Sequence, residues 1–311
     1  MAISTGFETQ LSLSAEENTY KTPPTTQYFE INQKSSSLSL SYENIAVERI
    51  RGDRNSENII KGTESVAGDI TVDLCPDDVH NIMIVSVLCD DTDADETSNG
   101  DTYIPESTQR SYTIIQQLKS DEFHRYKGCQ FNAMSLTVGA TGTIETTFSV
   151  IGATMDTATA HTSSANPKVL ACTAAERIPF TADDAVVNFA SNDNGFVTDF
   201  SLSIDNGMSP VYTVGSEQPI LGHLGKAAVT GSMTVLFETD DEYDAFVART
   251  ETAIILTIGS GETGIKFTMP RCLLTTGTTE IAGDGAVTAS FEFTALFKDS
   301  DGYAIQFDNH L

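Results

Sequence analysis

Asp91-Thr-Asp93-Ala-Asp95 sets three carboxylates on alternate residues, the spacing with which a calcium loop begins to wrap its ion. Such a loop next needs glycine for its sharp turn, and this chain has Glu96; the closing glutamate position holds Thr102. A solvated acidic loop is therefore the better reading, with weak divalent binding as its alternative. Asp299-Ser-Asp301-Gly302 is a shorter fragment of the same pattern. The five histidines, His80, His124, His161, His223 and His310, stand apart from one another and from cysteine at ligand spacing, which argues against a zinc site. His80 sits inside a helical segment and is expected as a tolerated edge histidine. Gly62 and Gly68, and again Gly225 and Gly231, are followed by strand-like text without a Lys-Ser or Lys-Thr ending. They suit a turn before a strand, not a phosphate cradle. The chain has no Gly-x-Ser-x-Gly elbow, and no nucleophile–base pair can be nominated. The expectation is no catalytic, cofactor-binding or metal-binding residue, and hence no enzyme.

What the residues do show is a pattern that occurs twice. Shifting 62–78 by 163 lays Gly62, Val66, Gly68, Thr71, Val72, Asp77 and Asp78 on Gly225, Val229, Gly231, Thr234, Val235, Asp240 and Asp241. A shift of 143 lays Cys129 on Cys272, Gly142 on Gly285, Ile144 on Val287, Phe148 on Phe291 and Val150 on Phe293. Leu38-Ser-Leu40 matches Leu202-Ser-Ile204 at a shift of 164. Two similar domains in tandem present two equivalent surfaces, which is a property of assemblies before it is one of catalysts.

The length of 311 residues suits two such domains, each able to bury a core. The boundaries expected are 1–152 for the first domain, 153–167 for a linker and 168–311 for the second. The linker text, Ala-Thr-Met-Asp-Thr-Ala-Thr-Ala-His-Thr-Ser-Ser-Ala-Asn-Pro, has little capacity to pack. A net charge of -27, from 44 acidic and 17 basic residues, argues against wrapping nucleic acid or adhering to an anionic membrane. It is compatible with DNA passing by without sticking, and equally with plain solubility. Five cysteines without a Cys-x-x-Cys pair suit a reducing compartment, and Cys129 and Cys272 lie in apolar strand text as small buried hydrophobes. No secretory leader is expected, and no apolar run reaches a membrane-spanning length.

Alternating Thr, Ser, Val and Ile predict a mainly β chain. Strands are expected near 7–14, 27–31, 36–42 and 66–74, then 112–117, 129–138 and 142–151, with counterparts at 253–258, 264–275 and 286–296. A buried helix should cover 79–88, started by Pro76-Asp77-Asp78. Its counterpart should start at the capping box Thr239-Asp-Asp-Glu242, with Tyr243, Phe246 and Val247 as the inward stripe. A polar, acidic insertion at 89–110 is present in the first copy alone.

In this order the weak motifs resemble the tail tube proteins of long-tailed, siphovirus-type bacteriophages. The residues that carry the likeness begin with Glu16-Glu17-Asn-Thr-Tyr20-Lys-Thr-Pro23 and Glu48-Arg-Ile-Arg-Gly-Asp-Arg54. They continue with Gly62-x5-Gly68-Asp-Ile-Thr-Val-Asp-Leu, Tyr126-Lys-Gly128-Cys-Gln-Phe-Asn132 and Phe148-Ser-Val-Ile-Gly152. In the second half Phe200-Ser-Leu-Ser-Ile-Asp-Asn206 and 286–296 look like the same family. The resemblance implies two tandem β-sandwich or split-barrel domains, each with one flanking helix, an α+β arrangement with β in the majority. It implies a structural virion protein that polymerises into stacked rings around an acidic-lined conduit for genome delivery into the host. Doubling favours a homotrimeric ring, a pseudo-hexamer, with six chains per ring as the alternative. Implied partners are the tape measure, tail terminator and distal tail proteins, with double-stranded DNA passing through the lumen unbound and no membrane. The implied locations are the phage tail and, during assembly, the host cytoplasm. Strand faces around Ser135-Leu-Thr-Val and Thr275-Thr-Gly-Thr-Thr-Glu280 are expected to line the lumen, and 89–110 and 48–61 to meet the next ring. The other reading is a carbohydrate-binding or adhesive β module of a virion or cell surface, which the absence of tryptophan weakens.

Overall fold

The computed structural model describes residues 9–25, 27–49, 58–90, 102–161, 177–189, 197–236, 246–281 and 286–309, with residues 52, 55, 169–170 and 192–193. In chain order these build β1 (Gln10–Ser14), β2 (Tyr28–Ile31), β3 (Gln33–Ser36), β4 (Ser39–Val47), β5 (Asn58–Asp73) and helix α1 (Asp78–Leu88). Then come β6 (Thr102–Tyr103), β7 (Tyr112–Lys119), β8 (Glu122–Gly139), β9 (Glu145–Gly152) and β10 (Thr154–Ala158). β11 (Val169–Leu170), β12 (Ala185–Phe189), β13 (Asn192–Asp193), β14 (Val197–Asp205), β15 (Ser209–Val211) and β16 (Leu221–His223) follow. The last strands are β17 (Ala228–Leu236), β18 (Thr252–Ile258), β19 (Ile265–Ile281), β20 (Val287–Ala295) and β21 (Gln306–Asn309).

The protein is mainly β, as its alternation predicts. In β9 Thr146, Phe148, Val150 and Gly152 point inward while Glu145, Thr147, Ser149 and Ile151 point the other way. Four strands pair antiparallel in the order β4–β5–β9–β8, and four more in the order β14–β17–β20–β19. The registers agree too. Leu40 faces Val66 as Ile204 faces Val229, and Ile70 faces Phe148 as Met233 faces Phe291. Met134 faces Phe148 as Gly277 faces Phe291. The shifts that relate these pairs, 164, 163 and 143, are the ones that relate the sequence blocks. Each ladder also slips at the matching place, between Phe131 and Ala133 in β8 and between Leu274 and Thr276 in β19.

Past its bulge the N-terminal part of β8 enters a second layer with β7, β1, β2 and β10. β19 does the same with β18, β12 and β21. Aromatic rings fill the space within each pair of layers. Phe131 lies edge-on to both Tyr112 and Phe148, at 5.8 and 6.0 Å, and Phe267 lies 5.1 Å from Phe307. Helix α1 closes the first half. Asp77 caps it by accepting the His80 N–H at 2.8 Å, and residues 79–88 are all buried, as their near-continuous apolar character predicts. The capping box 239–242 and Tyr243 lie outside the described residues. Phe246 does face the core, 6.4 Å from Phe291, whereas Val247, expected beside it, is 63% exposed.

Two more expectations change. Gly231 lies inside β17 and not in a turn before it, while Gly68 lies inside β5, where the strand expected at 66–74 places it. A methyl group on Gly68 would sit 2.6 Å from Leu38 Cα, and one on Gly231 would strike the Ser201 carbonyl and the Phe293 ring. Their role is close approach of neighbouring backbone. Gly231→Ala should therefore cost about 1–3 kcal/mol in urea unfolding, by overpacking. The segment expected to be a linker contains β10, which pairs with residues 123–127 of β8. Its packing capacity lies in charge: Asp156 takes two bonds from Arg125, at 2.8 and 3.0 Å, and Lys127 approaches at 2.7 Å. Burial opposes ionisation of Asp156, but these cations outweigh it and hold its pKa below the ordinary carboxylate value. A depressed folded pKa stabilises fully above the unfolded value, about 3.9, and that contribution is lost as pH falls through the folded one. Amide-exchange protection over 154–158 should fall in that acid window, and Asp156→Asn should lower it already at neutral pH.

Candidate functional site: a polar sheet face between two open edges

The two ladders join. β8 pairs antiparallel with β14, matching Met134 with Ile204, Ser135 with Ser203, Leu136 with Leu202 and Thr137 with Ser201. The result is one run, β4–β5–β9–β8–β14–β17–β20–β19. Its inward side is the core, with Ile70, Val72, Phe148, Met134, Leu136, Phe200, Leu202, Met233, Phe291 and Phe293 all buried. Period-two alternation then dictates the other face, which is rich in hydroxyls. Across it Thr71 meets Thr147 at 3.1 Å, Ser201 meets Ser232 at 2.7 Å and Thr234 meets Ser290 at 3.1 Å.

Charge on this face has one sign. Asp69, Asp73, Glu145, Asp199, Asp205 and Glu292 stand on its strands, while residues 65–73, 130–139, 145–152, 197–205, 228–236 and 272–281 contain no Lys or Arg. The cation on neighbouring β3, Lys34, is engaged by Glu145 at 2.6 Å and Asp73 at 3.4 Å. Asp69 accepts from Ser149 Oγ at 2.5 Å, which fixes its carboxylate on the surface. The expected lumen text falls here: Ser135, Thr137, Thr276 and Thr278 are exposed on this face, while Leu136 and Val138 turn into the core.

At its ends the run stops on strands with an open side. β4 pairs with β5 alone, and β19 beyond Leu273 pairs with β20 alone among the described residues. Past Ser41 the β4–β5 hairpin continues as a two-stranded arm through residues 44–47 and 58–61, with Tyr42, Ile45, Ile59 and Ile60 exposed. Unpaired edges and exposed apolar groups are the two features that natural β proteins hide unless a partner covers them.

The remaining predicted positions divide. Residues 91–101 of the acidic insertion, the calcium-like stretch included, lie outside the described residues. The insertion's last part reaches the second half: β6 pairs with β21, Tyr103 is buried with its ring 5.9 Å from Phe307, and Thr102 Oγ1 donates to Asp308 at 2.9 Å. Asn206 further ties the halves by donating to the Val87 carbonyl at the end of α1, at 2.6 Å. Neither tie was legible in the sequence, since a two-residue strand leaves no periodic signal. His80 is fully buried and not at an edge. Its Nδ1 lies 3.1 Å from the Cys75 amide and 2.9 Å from Asp77 Oδ1, within a Cys75–Asp77–His80 group spanning 4.8 Å. These contacts close the strand-to-helix turn. Cys129 and Cys272 are buried as expected, and burial pushes the thiol of Cys272 up to about 12.

A mainly β scaffold with a long polar sheet face between two edges that are open among the described residues offers strand borders to a partner. The family model described as phage tail tube protein matches residues 6–295, and the chain belongs to that family. It is thus a structural protein of the virion tail, in a family of non-enzymatic components that self-assemble and associate with other tail proteins. No curated protein matches the chain.

Proposed function

We propose that this chain closes into rings through its open edges, that the rings stack into the tail tube, and that the polar sheet face lines a conduit for double-stranded DNA. The observation that carries this reading is the eight-strand run, acidic and hydroxyl-rich on one face and, among the described residues, unpaired at both ends. Closing the run into a barrel satisfies both edges at once, which an isolated chain does not do. A wall of carboxylates without a free cation among the described strand residues gives DNA phosphates nothing to replace their counterions with, so the duplex slides. Each chain brings two ladders of matching register, so three chains supply six and a homotrimeric pseudo-hexamer is the favoured ring, with six chains as the alternative. On this reading 1–152 and 168–311 are tandem domains, with β10 extending the first into the segment 153–167. Tape measure, terminator and distal tail proteins are the partners at and within the tube. Assembly takes place in the host cytoplasm, and no catalytic group or cofactor is involved.

Electron microscopy of the purified protein in negative stain tests the proposal. Rings or tubes with a central channel are expected at micromolar concentration. Monomers alone, under conditions that include an assembly initiator, would refute it.

A further inference from the structure

The joint between the halves contains more than topology, because it is a worked example of one ladder meeting the next. β8 ends the first ladder and β14 begins the second, and their seven matched pairs run from Asp205 opposite Ala133 to Asp199 opposite Gly139. The equivalents of these strands are known from register: residues of β8 map onto β19 at a shift of 143, and the last residues of β14, Ser203 to Asp205, map back onto the start of β4 at 164. β19 and β4 are the two strands found above with an open side among the described residues.

We infer that β4 of one copy pairs antiparallel with β19 of the next, with Ser41 opposite Thr276, Leu40 opposite Gly277 and Ser39 opposite Thr278. This rests on the ring reading above and specifies its contact. The register follows from transferring the internal joint residue by residue: Asp205–Ala133 becomes Ser41–Thr276, Ile204–Met134 becomes Leu40–Gly277, and Ser203–Ser135 becomes Ser39–Thr278. Three features of the isolated chain agree with it. Ser39, Ser41, Thr276 and Thr278 are all exposed, as Ser203 and Ser135 need their counterparts to be on the polar face. Leu40, half-buried, is packed against the core as Ile204 is. Gly277 stands where Met134 fills the internal joint, and the Phe246 ring lies 2.9 Å from where a Cβ on Gly277 would be, so an aromatic ring takes the space of the missing side chain.

The transferred joint is also the less apolar of the two. Inward pairs Met134–Ile204 and Leu136–Leu202 are replaced by Gly277–Leu40 and Thr279–Leu38. The hydrophobic contribution of a joint scales with the apolar area it removes from water, so these two inward pairs contribute less than their counterparts within the chain.

Paired cysteines read the register directly. In a full-length chain carrying Cys172→Ser, the double variants S39C/T278C and S41C/T276C should each form covalent oligomers on mild oxidation of assembled rings. The offset variant S39C/T276C, two residues out of register, should form at least tenfold fewer, since a diagonal pair is too far apart for a disulfide. Rings that assemble and cross-link equally or better in the offset variant overturn this register while leaving the ring proposal standing. Failure of the parent chain to form any ring overturns both. If one facing pair fails to fold, the other decides, and wild-type rings cross-linked chemically and mapped by mass spectrometry give the same contacts independently.

Discussion

Aspartate placed together at Ser39, Ser41, Thr276 and Thr278 should leave a folded monomer that forms no rings. All four side chains are exposed in the single chain, where the one new like-charge pair, an aspartate at Thr276 opposite Glu292, costs roughly 0.2–1 kcal/mol. At the joint between chains they would set like charges opposite each other twice. Each such pair costs roughly 0.2–1 kcal/mol, so a ring with three joints would lose about 1–6 kcal/mol before stacking is counted. Sedimentation of the variant at the mass of one 33.4 kDa chain, with unchanged circular dichroism, is the expected result. Matching lysines at Thr276 and Thr278, opposite aspartates at Ser39 and Ser41, should restore assembly. Restoration by charge complementarity would separate a broken contact from a broken fold.

Reversing Asp69, Asp199 and Glu292 to lysine should keep tubes intact and make them retain DNA. These acids are exposed on the sheet face and stand on three different strands, and the one cross-strand bond among the changes, from Ser149 Oγ to Asp69, lies at the surface. The triple change moves each chain by +6, and three chains by +18, toward a wall that replaces phosphate counterions. Affinity for duplex DNA should rise from undetectable to micromolar at low salt. It should fall steeply as salt is raised, with a slope of about 0.9 per phosphate contacted. Filter binding with assembled tubes measures this, and delivery of the genome by virions carrying the variant should slow. Tubes that bind DNA no better than wild type would mean that this face points away from the channel.

Many of the strands were legible because a β-strand with one buried face alternates apolar and polar residues. Val66, Gly68, Ile70, Val72 and Leu74 mark one side of β5, and Val229, Gly231, Thr234 and Val235 repeat part of that text in β17, so the strands followed from alternation while their partners did not. The helix over 79–88 was legible for a different reason, an apolar run started by proline and aspartates. What escaped notice was held together by polar or very short contacts. β10 is secured by Arg125, Lys127 and Asp156 and has no apolar stripe to announce it, so its text looked like a linker. β6 is two residues long. Gly231 looked like turn punctuation because sequence does not show that the Ser201 backbone and the Phe293 ring crowd its position. The polar face itself was half legible: Ser135, Thr137 and the threonines of β19 were visible, but their alignment with Asp69, Asp199 and Glu292 needs the β8–β14 joint, which links residues about 68 apart in the chain.

The most direct measurement is the mass and rotational symmetry of a single isolated ring. Native mass spectrometry should give three times 33.4 kDa, and class averages should show a closed inner wall with threefold symmetry and six similar lobes. A protein that stays a lone chain at every concentration, with the sides of β4 and β19 still open to solvent exchange, would contradict the account.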